Sequence, residues 1–221
     1  AQSDDVVETR EVVVSSTRLP DVPVDSRTLP SKVTIITAED IQKTGAKTVQ
    51  EAVQWATGVV MYDIVGNGFQ QTIDLRGFNG QAVPATSVFV DGVRVNEPDF
   101  NSVNFDLIPM ETIDRIEILP SSSAVFGKNS LGGTINIITK RGGETRSVSA
   151  ETVYGSYNRE RTTISANGPI GKFDFVSSFS REKEDGYRRE SGANITRYFG
   201  KLGYRPTDTT DISVSYTYVG D

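Results

Sequence analysis

Apolar and polar side chains alternate with a period of two through most of the chain after Gly142-Gly143. Phe173, Phe175 and Phe179 share one face of such a segment, and Asp174 lies on the other. A period of two is typical of strands with one buried face. The pattern predicts five consecutive antiparallel strands, at residues 147–154, 161–166, 172–180, 197–205 and 211–218.

The connections between these predicted strands favour the wall of a transmembrane β-barrel. Those at 167–171 and 205–210 are short, whereas 182–196 is long and highly charged. Short turns at one edge, longer loops at the other and an aromatic-rich apolar face are features of outer-membrane barrels. A soluble antiparallel sheet with one buried face is the alternative that the strands alone leave open. Because a barrel needs at least about eight strands, both interpretations predict a piece of a longer protein.

Between the polar start and the alternating segments, the chain combines helical and strand signals, which predicts an α+β domain. Two pairs, Thr37–Asp40 and Thr48–Glu51, have the spacing of a helix N-cap and its partner in a capping box. They predict two short helices, ending at Gly45 and at Gly58. We expect Trp55, which lies off the apolar stripe of the second helix, to pack in the core. Short strands are predicted at 33–36, 72–75, 87–90, 93–95, 114–119 and 134–138.

The first 30 residues are polar, and the prolines among them exclude a continuous helix. Within them the β-branched run Val12–Val14 prefers an extended backbone. It is either an ordinary edge strand or a tethered strand that pairs with the sheet of a partner protein, and the residues alone do not separate the two. The chain therefore divides into an N-terminal extension (1–30), an α+β domain (31–142) and the start of an antiparallel sheet (143–221).

The composition excludes most catalytic and metal chemistry. The 221 residues include no histidine and no cysteine, which excludes zinc fingers, iron–sulfur ligation, thiol nucleophiles, Ser–His–Asp triads and disulfide bonds. A formal net charge of −6 argues against general nucleic-acid binding. The glycine-rich and oxygen-rich segments lack the spacing of phosphate, dinucleotide or calcium sites. The sequence therefore predicts no enzyme, no resident cofactor and no metal.

Several motifs of the α+β domain occur together in the order and spacing of one known family. Arg115-Ile116-Glu117, Ser122–Gly127 and Gly132–Lys140 follow one another, and Leu75–Phe78 and Val88–Gly92 stand ahead of them. In this combination the chain resembles the plug domain of TonB-dependent outer-membrane receptors.

The resemblance implies a fold, a function and a location. The fold would be an α+β plug domain, a small mixed sheet with short helices, followed by the first antiparallel strands of a transmembrane β-barrel of about 22 strands. The function would be TonB-dependent import of a scarce solute, such as siderophore-iron or cobalamin, across the outer membrane of a Gram-negative bacterium. The plug, facing the periplasm, would gate a monomeric barrel surrounded by lipid. A non-transporting periplasmic ligand-binding or interaction module is the second hypothesis.

The resemblance also implies roles for particular residues. The N-terminal valine strand looks like the TonB box, the segment that binds TonB, and comprises Val12, Val13, Val14, Ser15 and Ser16. Arg76, Arg115 and Glu117 are expected to contact the barrel wall. Outward loops of the plug are expected to contact the solute through Tyr62, Asn67, Phe69, Gln70, Asn79, Gln81, Asn96, Asp99, Phe100 and Asn101.

One departure from the family pattern concerns the lock between plug and barrel. After Leu119 the chain reads Pro120-Ser121-Ser122, one residue shorter than the family form and without its Arg-Gly pair. In the family that arginine helps to fix the plug to the wall, together with the arginine that matches Arg76. The arginine of the Arg-Gly pair, which in the family helps to fix the plug to the barrel wall, therefore has no counterpart in this chain.

Overall fold

The computed structural model describes residues 13–15, 23–25, 33–63, 71–78, 85–99, 102–120, 126–128, 130–186, 191–207 and 209–220. Within these ranges the strands are β1 (Val13–Ser15), β2 (Pro23–Asp25), β3 (Thr34–Thr37), β4 (Val59–Asp63), β5 (Gln71–Leu75), β6 (Thr86–Val90), β7 (Val93–Arg94), β8 (Ile113–Leu119), β9 (Gly133–Thr139), β10 (Ser147–Gly155), β11 (Arg159–Ile170), β12 (Phe173–Glu184), β13 (Ala193–Thr207) and β14 (Thr210–Gly220). The helices are α1 (Ala38–Thr44) and α2 (Val49–Val53), and single 3-10 turns lie at Phe105–Leu107 and Met110–Thr112.

The described residues between 33 and 140 form a domain around one mixed sheet, called the mixed-sheet domain below. Its strands are ordered β3-β8-β9-β6-β7, and β6 and β9 run parallel while the other neighbours are antiparallel. Ile116 and Ile137 are fully buried in the core of this sheet, and the same core includes Ile41 of α1 and Val53 of α2. The predicted α+β fold of this region is therefore confirmed.

Both predicted helices form, and each begins at its predicted cap. The side chain of Thr37 accepts a hydrogen bond from the Asp40 amide at 3.2 Å, and the Asp40 carboxylate accepts one from the Thr37 amide at 3.0 Å. This reciprocal pair is a complete capping box. α1 ends at Gly45, whose left-handed φ of 64° is a conformation that glycine adopts without strain.

The second helix is shorter than the sequence predicts. α2 ends with Gln54 as its C-cap rather than continuing to Gly58, because the amide of Ala56 already donates to the Val53 carbonyl at 2.9 Å in a tight turn. The expectation that Trp55 packs in the core is wrong, since its side chain is 78% exposed. Trp55 lies in the turn beyond the helix end, where the chain bends along the surface.

One strand of the mixed-sheet domain is absent from the sequence prediction. β4 begins with Val59-Val60-Met61, a continuous apolar run without alternation. It is stabilised by pairing with β5, from Val59 opposite Leu75 to Asp63 opposite Gln71. The strands that the sequence does predict in this domain are confirmed to within one residue at each end.

β10 to β14 form an antiparallel sheet, called the meander below, in which each strand pairs with the next along the chain. All five predicted strands are present, but they are longer than predicted. Pairing between β11 and β12 continues as far as Ile170 opposite Phe173, so the predicted turn is reduced to Gly171-Lys172. Pairing of β12 with β13 likewise reduces the long charged connection to residues 185–192.

β1 and β2 form a two-stranded antiparallel sheet, separate from the others, with Val13 opposite Asp25. The predicted extended backbone is confirmed for Val13–Ser15, whereas Val12 and Ser16 lie outside the described residues. Among the helices of the described ranges, none combines the length and the apolar character that crossing a membrane requires.

Candidate functional site

The two faces of the meander differ in polarity. Its outward face exposes large apolar side chains, namely Val148, Tyr154, Ile164, Ile170, Phe173, Phe179, Tyr198, Leu202, Ile212, Val214, Tyr216 and Tyr218. Its inward face, turned toward the mixed-sheet domain, buries the polar side chains of Arg159, Thr163, Asp174, Ser178, Ser180, Glu182, Arg197 and Lys201. An apolar outer surface around a polar interior is the arrangement of an outer-membrane barrel wall, and the inverse of a soluble protein.

A chain of buried ion pairs, called the Glu182 network below, joins the meander to the mixed-sheet domain. Glu182 has a side chain only 1% exposed and accepts hydrogen bonds from Arg159 at 2.8 Å and from Arg197 at 3.0 Å. Arg197 also donates to Asp106 of the mixed-sheet domain at 3.3 Å. Because the charges are buried, removing one partner would leave the remaining charges only partly compensated.

Two further contacts join β12 to the mixed-sheet domain. The ammonium of Lys47 lies 3.9 Å from the carboxylate of Glu184. Ser178 donates a hydrogen bond of 2.7 Å to the carboxylate of Glu111, whose backbone carbonyl accepts another from Lys140 at 2.8 Å. Glu111 is therefore held both by the meander and by its own domain.

Lys201 of β13 lies at the centre of a fourth contact. Its ammonium donates to Asp91 at 2.9 Å and to the hydroxyl of Thr139 at 2.8 Å. Asp91 in turn accepts hydrogen bonds from the amide and the hydroxyl of Thr139, at 2.9 and 2.6 Å. The ends of two strands of the mixed sheet, β6 and β9, are thus bonded to each other and to the meander through one lysine.

The connection from the mixed-sheet domain to the meander is clamped by Arg141. Two of its nitrogens bind Asp174 at 3.0 and 2.8 Å, and a third binds both carboxylate oxygens of Asp211 at 2.8 and 2.9 Å. The hydrogen bonds with Asp174 are the main cause that raises the pKa of Arg141 above its ordinary value. A Cβ at the next residue, Gly142, would lie 2.7 Å from the carbonyl oxygen of Gly168, so only glycine fits there.

The three residues predicted to contact the barrel wall form hydrogen bonds within the mixed-sheet domain. Arg76 donates to the carbonyl of Pro120 at 3.0 Å. Arg115 donates to Glu117 at 2.8 Å, and Glu117, which is fully buried, also accepts from Asn136 at 3.3 Å. Contact of these three with a barrel wall stays a prediction. The contacts described above between the domain and the meander involve other residues.

Three of the residues predicted to contact the solute fall within the described ranges. Tyr62 and Asp99 are exposed. Asn96 instead bonds within its own domain, where its side chain accepts from the Val88 amide at 2.7 Å and donates to the Thr86 carbonyl at 3.1 Å. The others lie outside the described residues: Asn67, Phe69, Gln70, Asn79, Gln81, Phe100 and Asn101. Solute contact stays a prediction for the whole set.

The interdomain partners are the residues of the candidate site that sequence reasoning missed. The alternation of β13 does place Arg197 and Lys201 on the polar face. Their partners Asp106 and Asp91, however, are 91 and 110 residues away along the chain. No local spacing signals a pair at such a separation, so only the folded structure brings them together.

The described part of the chain contains no group of three or more His, Cys, Asp or Glu side chains placed to hold a metal ion. The carboxylates at the interface, such as Asp91, Asp174 and Glu182, are instead paired with lysine or arginine. The polar contacts of this interface are therefore mainly ion pairs.

A family profile described as the TonB-dependent receptor plug domain matches residues 25–134. Over 157 residues the chain is 33% identical to the vitamin B12 transporter BtuB of Vibrio cholerae serotype O1, and the alignment covers 70% of this chain. It covers only 25% of that transporter. The chain thus spans about a quarter of the length of this relative.

Solved structures of outer-membrane receptors have the same fold. The siderophore receptor PirA from Pseudomonas aeruginosa superposes with a TM-score of 0.61 at 27% identity, over 87% of this chain and 34% of the receptor. The ferripyoverdine receptor of the outer membrane of Pseudomonas aeruginosa gives a TM-score of 0.76 at 18% identity, over 91% of this chain and 27% of the receptor. The chain therefore belongs to the family of TonB-dependent receptors, and its mixed-sheet domain is their plug domain.

Proposed function

We propose that the protein is an outer-membrane importer in which the mixed-sheet domain gates the lumen of a β-barrel that the meander begins. The observation that carries this proposal is the polarity of the meander, with exposed apolar side chains outside and buried charges inside. The outer face suits lipid, and the inner face suits a hydrated lumen that a plug fills. A soluble periplasmic module, the second hypothesis, would leave the apolar face in water.

The contacts between the two parts suit a plug that moves. Asp91–Lys201 and Asp106–Arg197 are ion pairs rather than apolar packing. When such groups separate, water solvates both partners, and each exchanged hydrogen bond to a charged group costs about 1.5–3 kcal/mol net. Separating an apolar interface would instead cost about 25 cal/mol for every Å² exposed to water. A polar interface therefore favours a reversible gate.

The energy for import would reach the mixed-sheet domain through the N-terminal strand. Val13–Ser15 have extended backbone and pair with β2 along one edge. A strand has main-chain donors and acceptors along both edges, so TonB can bind by adding a strand of its own. Val12 and Ser16 complete the proposed TonB box. Tension applied there would shift the mixed-sheet domain and open a path through the barrel.

The proposed solute is a siderophore-iron complex, cobalamin or a similar scarce compound. The relatives named above include a vitamin B12 transporter and siderophore receptors. Exposed Tyr62 and Asp99, with the other predicted loop residues, would contact the solute at the outer surface. The proposed importer acts as a monomeric barrel, needs no resident cofactor and catalyses no reaction.

The mixed-sheet domain would face the periplasm, which fixes the orientation of the meander. The turn at Gly171-Lys172 and the turn after Thr207 lie at the edge of the meander where the Arg141 clamp joins the two parts. We place this edge on the periplasmic side. The connections at 156–158 and 185–192 would then face the outside of the cell.

Uptake by a strain that lacks the native gene and carries the full-length receptor tests the proposal. Labelled cyanocobalamin, ferric enterobactin and ferripyoverdine are offered separately, with and without TonB. Import of one of them that requires both TonB and the proton gradient is the expected result. Import that continues without TonB, or recovery of the receptor in the soluble periplasmic fraction, would contradict the proposal.

A further inference from the structure

Charged side chains on the outward face of the meander lie at one edge only. Along β12 the outward positions from Phe173 to Phe179 are uncharged, and the last two are Arg181 and Lys183, both exposed. Within the described residues, the outward positions of the other four strands carry a single charge, that of Glu160 opposite Lys183. This edge is the one that we place on the outside of the cell. The outward face is therefore uncharged except for a short segment at its outer edge.

The length of β12 places these two basic residues at a membrane surface. Strands rise about 3.4 Å per residue and are tilted by about 35–45° in outer-membrane barrels. From Phe173 to Lys183 the strand therefore spans about 26 Å across the membrane, close to the height of the apolar band of about 25 Å. Charges on the lipid-facing surface are unfavourable at the bilayer centre and tolerated near its interfaces. Arg181 and Lys183 are thus level with the lipid headgroups.

The ion pairs of β12 all lie on its inward face. Asp174, Glu182 and Glu184 take part in them, whereas within the described ranges Arg181 and Lys183 form none. A guanidinium is always charged and presents five donors in a fixed plane. The two outward basic side chains therefore keep their charge available for a group outside the protein.

The surroundings of the two basic residues differ. Lys183 lies opposite the carboxylate of Glu160, which balances part of its charge. Arg181 lies between Thr162 of β11 and Thr196 of β13, and both neighbours are uncharged. We therefore expect Arg181 to attract an anion more strongly than Lys183 does.

Hydroxyl groups extend the surface beside Arg181. Thr196 pairs with Arg181 on one side and with Gly220 on the other, so the three positions form one row across the outward face. The phenol oxygen of Tyr218 lies over Gly220, 2.6 Å from the place that a Cβ would take there. Its hydroxyl thereby reaches the same row, as tyrosines of an interfacial aromatic girdle do. The row combines a cation with hydroxyl donors.

On the basis of the proposed importer function and orientation, we infer that this surface binds the phosphate of an anionic lipid in the outer leaflet of the outer membrane. The guanidinium of Arg181 matches two phosphate oxygens. Lys183, about 7 Å further along the strand, adds a second positive charge, and Thr196 and Tyr218 add hydroxyl groups. The exposed apolar side chains nearer the bilayer centre, such as Phe179, would contact the acyl chains of the same lipid.

A fluorophore beside the site measures this binding locally. Asn194 is exposed and lies opposite Lys183, and the chain contains no cysteine, so Asn194→Cys can carry an environment-sensitive dye. The labelled full-length receptor is placed in phosphatidylcholine nanodiscs with increasing amounts of lipid A, a phosphorylated glycolipid, or of its dephosphorylated form. We expect a saturable change with lipid A alone, and binding about tenfold weaker in Arg181→Gln. Equal binding of both lipids, or equal binding by both receptors, would overturn the site.

Two further variants of the labelled receptor control for charge. Lys172→Gln removes one positive charge from the turn at the opposite edge, where Lys172 is exposed, and should not change the binding. A loss equal to that of Arg181→Gln would show general attraction to the receptor and overturn the site. Glu160→Gln removes the carboxylate opposite Lys183 and should tighten the binding. Unchanged or weaker binding in Glu160→Gln would overturn the part assigned to Lys183.

Lipid binding in nanodiscs requires neither TonB nor a proton gradient, so its failure is distinguishable from a failure of the importer function. Energised uptake by a receptor that shows no lipid binding at β12 would overturn the lipid site alone. Normal lipid binding by a receptor that shows no energised uptake would contradict the importer function.

Discussion

Glu182 is the central residue of the buried ion pairs at the interface. It lies between Arg159 and Arg197, whose side chains are 6% and 10% exposed. Glu182→Gln preserves the shape of the side chain but removes the negative charge that Arg159 and Arg197 share, which leaves them only the longer contacts with Glu184 at 3.7 Å and Asp106 at 3.3 Å. We expect the full-length receptor in detergent to lose about 3–5 kcal/mol of unfolding free energy, measured by denaturant titration.

The control for this prediction is a glutamate of the same sheet in a different environment. Glu160 is exposed on the outward face of β11, next to Arg159. Glu160→Gln should change the unfolding free energy by no more than about 0.5 kcal/mol. Equal losses in the two variants would show that the Glu182 network does not stabilise the interface.

Asp40 makes the stability of α1 depend on pH. Hydrogen bonds with Thr37 hold the pKa of Asp40 below its ordinary value of 3.8. The ionised carboxylate therefore stabilises the folded helix above that value, and the stabilisation is lost as the pH falls through the lowered pKa. Because the group is exposed, we expect the effect to stay below about 1 kcal/mol.

Hydrogen exchange of the α1 amides in wild type and in Asp40→Asn measures this effect. The wild type should be better protected at neutral pH, and the difference should vanish once Asp40 is protonated. A difference of the same size well below pH 3.8 would contradict the capping role of the carboxylate.

At the scale of the elements, strong local signals in the sequence predict which helices and strands form. Hydrogen bonding to the neighbouring strand decides where a strand ends. Alternation predicts all five strands of the meander, and the Thr37–Asp40 capping box predicts the start of α1. The end of β11 is missed because Pro169 signals a turn, whereas hydrogen bonding to β12 carries the strand past it. β4 is missed because an apolar run without alternation does not distinguish a strand from a helix.

The proposed orientation of the meander predicts which turns are accessible from outside the cell. Ser156 and Thr207 are both exposed, in or beside connections at opposite edges of the sheet. A membrane-impermeant thiol reagent should label Ser156→Cys on intact cells and should label Thr207→Cys only after the outer membrane is opened. The reverse labelling pattern would show that the meander is inserted the other way.

Across the whole molecule, the polarity of the interface is predictable from the sequence, but its partners are not. The inward position of Lys201 follows from alternation, because every second residue of β13 faces the mixed-sheet domain. Its bond to Asp91, 110 residues away, depends on how the two sheets are placed against each other. The sequence therefore predicts which face of β13 bears the charges, but it does not predict the residues with which they pair.

In the proposed importer, solute binding and energy coupling lie at opposite ends of the mixed-sheet domain. Solute would contact the outward loops, whereas TonB would bind the strand at Val13–Ser15, which belongs to a sheet separate from those of the domain. A change confined to that strand should therefore uncouple import without weakening binding. This separation is the central claim about the whole molecule.

Uptake and surface binding measured on the same cells, with Val13→Pro and Val13→Ala, test this claim most directly. Proline removes a backbone donor and fixes φ, so Val13→Pro should abolish energised uptake while surface binding stays normal. Val13→Ala keeps the donor and should have a milder effect, within the roughly 1 kcal/mol span of strand propensity. Normal uptake by Val13→Pro, or a parallel loss of binding and uptake, would contradict the claim.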